Sequence, residues 1–228
     1  MSDSAAGHAS SHTDEGLSSA LERFRAIQDE IVRGIAHAMS NRVASLSAGL
    51  YVLGENGTAS AASVGALQSE LDRMEQLLVQ LRMLPAEHVP VEPLLASESA
   101  LTAVALHAHH GELRNVPCVV EDAGNVPPAR AEPHALLHAL LVAITAAKQS
   151  AQVSGAGTAR LVLNVAGDAI RFIATAGSGD DVTPDDSVFA VEARAAHWLV
   201  APSDGRAYAI ATGCVVEVPT LASTRKPR

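Results

Sequence analysis

The stretch Ile31-Val32-Arg33-Gly34-Ile35-Ala36-His37-Ala38-Met39-Ser40-Asn41 sits inside a longer apolar pattern: Leu17, Leu21, Phe24, Ile27, Ile31, Ile35, Met39, Leu46, Leu50 and Leu53. At about 100° per residue these positions gather on one stripe of a helix, expected to run from about Glu15 to Leu53. His37 falls on the opposite, solvated side, one turn from Arg33 and one turn from Asn41. An outward imidazole is a competent nucleophile and proton carrier near neutral pH. The helix is expected to stop at Gly54-Glu55-Asn56-Gly57, a cluster of residues that tolerate turns.

A second helix is expected from about Ala62 to Leu84, ahead of Pro85. Leu67, Leu71, Met74, Leu78 and Leu81 follow a 4-3-4-3 spacing, with Leu77 and Leu84 beside it. That spacing is the seam of a coiled coil or bundle. Two antiparallel helices alone leave apolar surface on both. Pairing two such hairpins into a symmetric four-helix bundle covers it, so a homodimer is expected. The competing arrangement packs the hairpin on the chain's own C-terminal half.

Composition narrows the function. The 228 residues are 48% apolar but only 3% aromatic, so the core must be built from Ala, Leu and Val. The net charge is −9 with scattered basic residues, which argues against nucleic acid as the partner. Cys118 and Cys214 stand singly in apolar runs and read as small buried hydrophobes of a reducing compartment. No apolar run reaches membrane-spanning length and residues 1–16 lack a signal-peptide core. A cytoplasmic protein with a disordered tail over residues 1–15 is expected.

After Leu84 the pattern changes. Pro85, Pro90 and Pro93 suggest a linker, followed by a helix from about Leu94 to His110, a strand at Pro117–Glu121 and a helix from about Glu132 to Gln149. Leu161–Val165 and Ala169–Thr175 flank Gly167-Asp168 as a hairpin. A short helix is expected within Asp186–Val200, then a second hairpin from Ala207–Thr212 and Cys214–Val218. Helices interleaved with mostly antiparallel strands imply a two-layer α/β sandwich. The expected division is a helical hairpin over 16–86, an α/β domain over 87–220 and a tail over 221–228. Three smaller features carry little weight: His107, His109 and His110 suggest a solvated helix end, His134 and His138 face a cleft or solvent, and Trp198 belongs in the core.

Across roughly residues 20–218 this order resembles the cytoplasmic core of bacterial sensor histidine kinases. Their phospho-acceptor motif is His-Glu/Asp-x-x-Asn/Thr-Pro. Here His37 and Asn41 match, whereas Ala38 and Arg42 replace the acidic residue and the proline. In the second half, Val142 and Ala146 occupy the positions of two asparagines, the second of which holds Mg²⁺ in the family. Alanine offers a hard cation no oxygen. Thr175 in Thr175-Ala176-Gly177-Ser178-Gly179 replaces the aspartate that reads adenine, and Val191–Ser203 lacks the glycines of a phosphate lid. The resemblance therefore points away from ATP-driven chemistry and toward the family's dimeric histidine phosphotransferases. These carry a degenerate ATPase-like (Bergerat-like) domain, hold no cofactor or metal of their own, and take Mg²⁺ with the partner receiver domain.

That resemblance implies a relay in which His37 accepts and donates a phosphoryl group between response-regulator receiver domains. Asn41 lies beside it, and Arg33, Ala44, Ser45 and Ala48 form the partner-binding face. A sensor kinase is a further possible partner, whereas nucleic acid and membrane are not expected. Two alternatives stay open at this point: a receiver phosphatase in which Asn41 orients water, and a non-catalytic dimeric scaffold that binds receivers.

Overall fold

The protein is described by a computed structural model covering residues 6–56, 60–85, 89–177 and 182–223, with side chains absent from that description at 6–15 and 55–56. Gly57, residues 86–88 of the expected linker, Ser178, Gly179, Asp180 and Asp181, and residues 1–5 and 224–228 of the expected tails lie outside the described residues.

Helix α1 spans Ala6–Asn56 and α2 spans Ala61–Arg82. The first helix begins at Ala6 rather than near Glu15, so much of the expected disordered tail is helical. It also continues through Gly54, where a turn was expected. Ser60 caps α2, its hydroxyl accepting from the Ser63 backbone at 3.1 Å. The two helices are tied by Arg42, whose guanidinium lies 3.0 Å from the Glu70 carboxylate, with Arg73 on the same carboxylate at 2.6 Å.

Beyond the hairpin, β1 (Glu92–Leu94) pairs antiparallel with β3 (Ala129–Ala131), so Pro93 lies in a short two-stranded sheet rather than in a linker. Between them come α3 (Ala96–His107) and β2 (Cys118–Asp122). Helix α4 (Pro133–Ser154) starts with Glu132 accepting from the His134 and Ala135 backbones at 3.1 and 2.7 Å and with Pro133 in its first turn. It ends at Gly155, whose left-handed φ of 71° suits a helix terminus. Strands β4 (Ala159–Ala166) and β5 (Ala169–Ala176) turn at Gly167-Asp168, with Gly167 at φ 64°, followed by α5 (Ala190–Val200), β6 (Arg206–Ile210) and β7 (Gly213–Pro219). The main sheet runs β2-β4-β5-β7-β6, parallel only between β2 and β4.

The fold is thus a helical hairpin followed by a helix-covered, mostly antiparallel sheet. The core runs through both. Ala20, Phe24, Ile27, Ile31 and Ile35 of α1 join one buried cluster with α4, α5 and the inner face of the sheet. The first half of the α1 stripe is therefore covered by the chain's own α/β layer. Arg23 fixes this contact, its guanidinium reaching Glu192 of α5 at 2.7 Å and the Gln149 amide oxygen of α4 at 2.8 Å. The distal half is less covered: Leu50 is exposed and Met39, Leu46 and Leu53 are half-buried, while Val43, Tyr51 and Val52, off the stripe, are exposed as well. On α2 the most buried side chain is Leu77 (8% exposed), beside the expected seam, while Leu71 and Leu78 are 41% and 38% exposed. Trp198, expected in the core, is 45% exposed on α5.

Candidate functional site

His37 is exposed on α1, on the far side from buried Ile31 and Ile35. Its Nε2 lies 3.3 Å from Nδ2 of Asn41, one turn further along. An amide nitrogen can only donate, so Nε2 accepts and the proton of the neutral ring resides on Nδ1. The ring's nucleophilic electron pair is therefore the one on Nε2, which faces Asn41.

The same helix face carries the other expected partner-binding residues. Arg33, Ala44, Ser45 and Ala48 are all exposed. Their freedom differs. The Arg33 guanidinium is engaged by the Glu30 carboxylate one turn away. Ser45 turns its hydroxyl back to the Asn41 carbonyl at 3.0 Å, as Ser40 does to Ala36 at 2.9 Å. Ala44 and Ala48 leave a low surface on which another helix can lie.

A second wall stands across from His37. The turn following α3 lies against α1, and an open groove of about 510 Å³ separates them, lined by Glu30, Arg33, His37 and Asn41 on one side and His109 and Arg114 on the other. Gly34 makes this approach possible. A Cβ there would lie 1.7 Å from the His109 carbonyl oxygen, so no larger residue fits without moving the turn. Gly111 faces Glu30 similarly, its imagined Cβ 2.9 Å from Oε2. His109 Nε2–H donates to Oε1 of Gln80 at 2.9 Å, which ties the turn to α2 as well.

Behind the turn lies a buried polar cluster where a solvated helix end was expected. His107 is fully buried and His110 nearly so, their rings stacked with centroids 5.1 Å apart. Thr145 donates to the Leu141 carbonyl at 2.8 Å, so its oxygen accepts from His107 Nε2–H at 2.9 Å. Burial, with Lys148 adding repulsion, holds the His107 pKa well below the ordinary histidine value; burial also depresses His110. His138, expected to face a cleft or solvent, is instead fully buried. Its ring meets Phe24 of α1 edge-on at 5.2 Å and its Nδ1 lies 3.4 Å from the Gln28 amide nitrogen. Burial lowers its pKa to about 4.

The positions that the sequence resemblance assigns to a nucleotide cleft are packed. Val142 and Ala146 of α4 have no exposed surface, and α5 lies along α4. Thr175 is buried and shares a 2.6 Å hydroxyl contact with Thr212. The stretch 191–203 forms most of α5 and a 3-10 turn. Among the described residues no group of three or more His, Cys, Asp or Glu side chains is placed to hold a metal. Both cysteines are free, and burial pushes the Cys118 thiol up to about 11. No described helix is long and apolar enough to cross a membrane.

The sequence pointed to the α1 half of this groove. It missed His109, Gly111 and Arg114, because nothing in a helical period says which distant turn will meet a helix face. Gly34, an isolated glycine inside a strong helical pattern, was the one available signal of a close approach.

No family model matches the sequence, and no curated protein matches it. Among solved structures the chain is similar to the Acinetobacter baumannii histidine kinase AdeS (13% identity, 82% of this chain and 98% of that one, TM-score 0.43). It is also similar to a histidine kinase from Burkholderia phymatum (12% identity, 89% and 99%, TM-score 0.37). A third is histidine kinase ThkA, solved in complex with the response regulator protein TrrA (12% identity, 93% and 67%, TM-score 0.40).

Proposed function

We propose that this chain is a histidine phosphotransferase that relays a phosphoryl group between receiver-domain aspartates, with His37 as acceptor and donor. The observation that carries the reading is the exposed His37 ring with Nε2 as its accepting nitrogen, opening onto a groove large enough for a partner's loop. In the forward step the Nε2 lone pair attacks phosphorus of an aspartyl phosphate. A P–N bond forms, the P–O bond to the acyl group breaks, and the carboxylate leaves with the electron pair. The Nδ1 proton then passes to solvent, leaving a neutral phosphoimidazole ring. Return transfer to a second aspartate reverses these changes.

Relay chemistry of this kind requires no nucleotide of the chain's own, because the phosphoryl group arrives already activated. Fully buried Val142, Ala146 and Thr175 support that part of the proposal. The open apolar face of the distal hairpin, with Leu50 61% exposed, supports a homodimer in which a second hairpin completes a four-helix bundle.

Exposed Asn41 beside the same groove favours one alternative, hydrolysis of the partner's aspartyl phosphate with Asn41 orienting water. One experiment separates the two. Receiver domains are charged with labelled acetyl phosphate, mixed with the chain, and resolved. Acid-labile label on the chain that is absent from His37→Ala supports relay. Release of inorganic phosphate that survives His37→Ala and is lost in Asn41→Ala supports hydrolysis.

A further inference from the structure

We propose that Arg114 is the counter-ion of a phosphoryl group carried on His37. This rests on the phosphotransfer reading above and adds a phosphoryl-binding residue to it from the opposite wall of the groove.

The argument is one of charge. Three formal charges line the groove: Glu30, Arg33 and Arg114. Glu30 and Arg33 neutralise one another. His109, the other basic side chain there, has its pKa lowered by burial and spends its Nε2–H on Gln80. Arg114 is exposed and makes no ion pair or side-chain hydrogen bond among the described residues. Glu112 belongs to the same turn but does not line the groove. In a chain of net charge −9, a guanidinium left unneutralised in the same groove as a nucleophilic imidazole is the natural seat for an arriving anion. Its planar fork of donors matches phosphoryl oxygens. Arg33 could serve only by releasing Glu30 into the same groove, where that carboxylate would repel the phosphoryl group.

The position of Arg114 is fixed by packing. Gly34 admits the His109 carbonyl against α1, Gln80 holds His109, and buried Lys148 reaches the Leu113 carbonyl at 3.5 Å, next to Arg114. The α/β layer thereby contributes a side chain to chemistry on the hairpin.

The test uses potassium phosphoramidate, a small anionic donor that needs no receiver. His37 Nε2 attacks its phosphorus, the ring P–N bond forms as the bond to nitrogen breaks, ammonia leaves, and the Nδ1 proton goes to solvent. Phosphohistidine formation is followed by 31P NMR on the full-length chain, with His37→Ala as the blank. Arg114→Ala is expected to slow labelling about three- to fivefold, in the range of an exposed ion pair, and Arg114→Lys to recover most of the rate. Added salt should slow the wild type and leave Arg114→Ala nearly unchanged. Equal rates and equal salt dependence in wild type and Arg114→Ala overturn the proposal while leaving the phosphotransfer reading standing. Wild-type protein that takes no more label than His37→Ala overturns both.

Discussion

Asn41 Nδ2 stands 3.3 Å from His37 Nε2, so the nitrogen that would attack phosphorus is the one that already receives a proton donor. When a phosphoryl group occupies Nε2, that amide is placed to donate to a phosphoryl oxygen instead. Asn41→Asp replaces the donor with an anion at the same spot. It is expected to slow labelling of His37 by about tenfold, because a carboxylate repels the incoming group. Asn41→Ala should cost less. Stopped-time labelling from a charged receiver measures both.

Gly34 tests whether the second wall matters. Gly34→Ala places a methyl into the space of the His109 carbonyl. Alanine favours a helix interior by about 1 kcal/mol over glycine, so propensity alone would stabilise the protein. The clash is with backbone, and a net loss of about 1–3 kcal/mol is expected. Urea unfolding gives the sign. The same variant should lose transfer rate even where it remains folded, because the turn bearing Arg114 is displaced.

The open hairpin face predicts an oligomeric state. Leu71→Glu combined with Leu78→Glu puts charge into the exposed apolar surface of α2 without touching Leu77. Sedimentation is expected to show a dimer for the wild type and a monomer for the double variant, with helical content largely retained.

Acid should destabilise the fold. His138 is buried with its pKa lowered from 6.5 to about 4, and His107 and His110 are shifted in the same direction. Between those values the unfolded chain binds protons that the folded chain refuses. Stability is therefore full above about pH 6.5 and falls as pH drops toward 4, by about 3 kcal/mol for His138 alone. Glu217 adds a further loss only at lower pH, below its ordinary value of 4.5: burial would raise its pKa, but Arg206 and Arg171 outweigh burial and lower it. Unfolding free energies measured across this range should slope less in His138→Leu than in the wild type.

Most of the secondary structure was legible because it follows from local chemistry. The α1 stripe, the Gly167-Asp168 hairpin and the Glu132-Pro133 helix start each declare themselves within a few residues. Outward placement of His37 followed from the same period. What periodicity could not supply was the choice of partner for each face. The stripe at Phe24–Ile35 meets α4 and α5, whereas Leu71 and Leu78 of an equally regular stripe stay open. Histidine was misjudged twice for a related reason. His107 and His138 are polar by type, yet hydrogen bonds with Thr145 and Gln28 and rings from His110 and Phe24 accommodate them in the interior. Trp198 erred the other way, because α5 turns its tryptophan outward and packs on alanines such as Ala195 and Ala196.

The most direct measurement maps the phosphorylated residue after exposure of the chain to a charged receiver. Tandem mass spectrometry under alkaline conditions should place the group on His37, and a fresh uncharged receiver should remove it again. Phosphate on another residue, or none on the chain while the receiver is discharged at the wild-type rate by His37→Ala, would contradict the account.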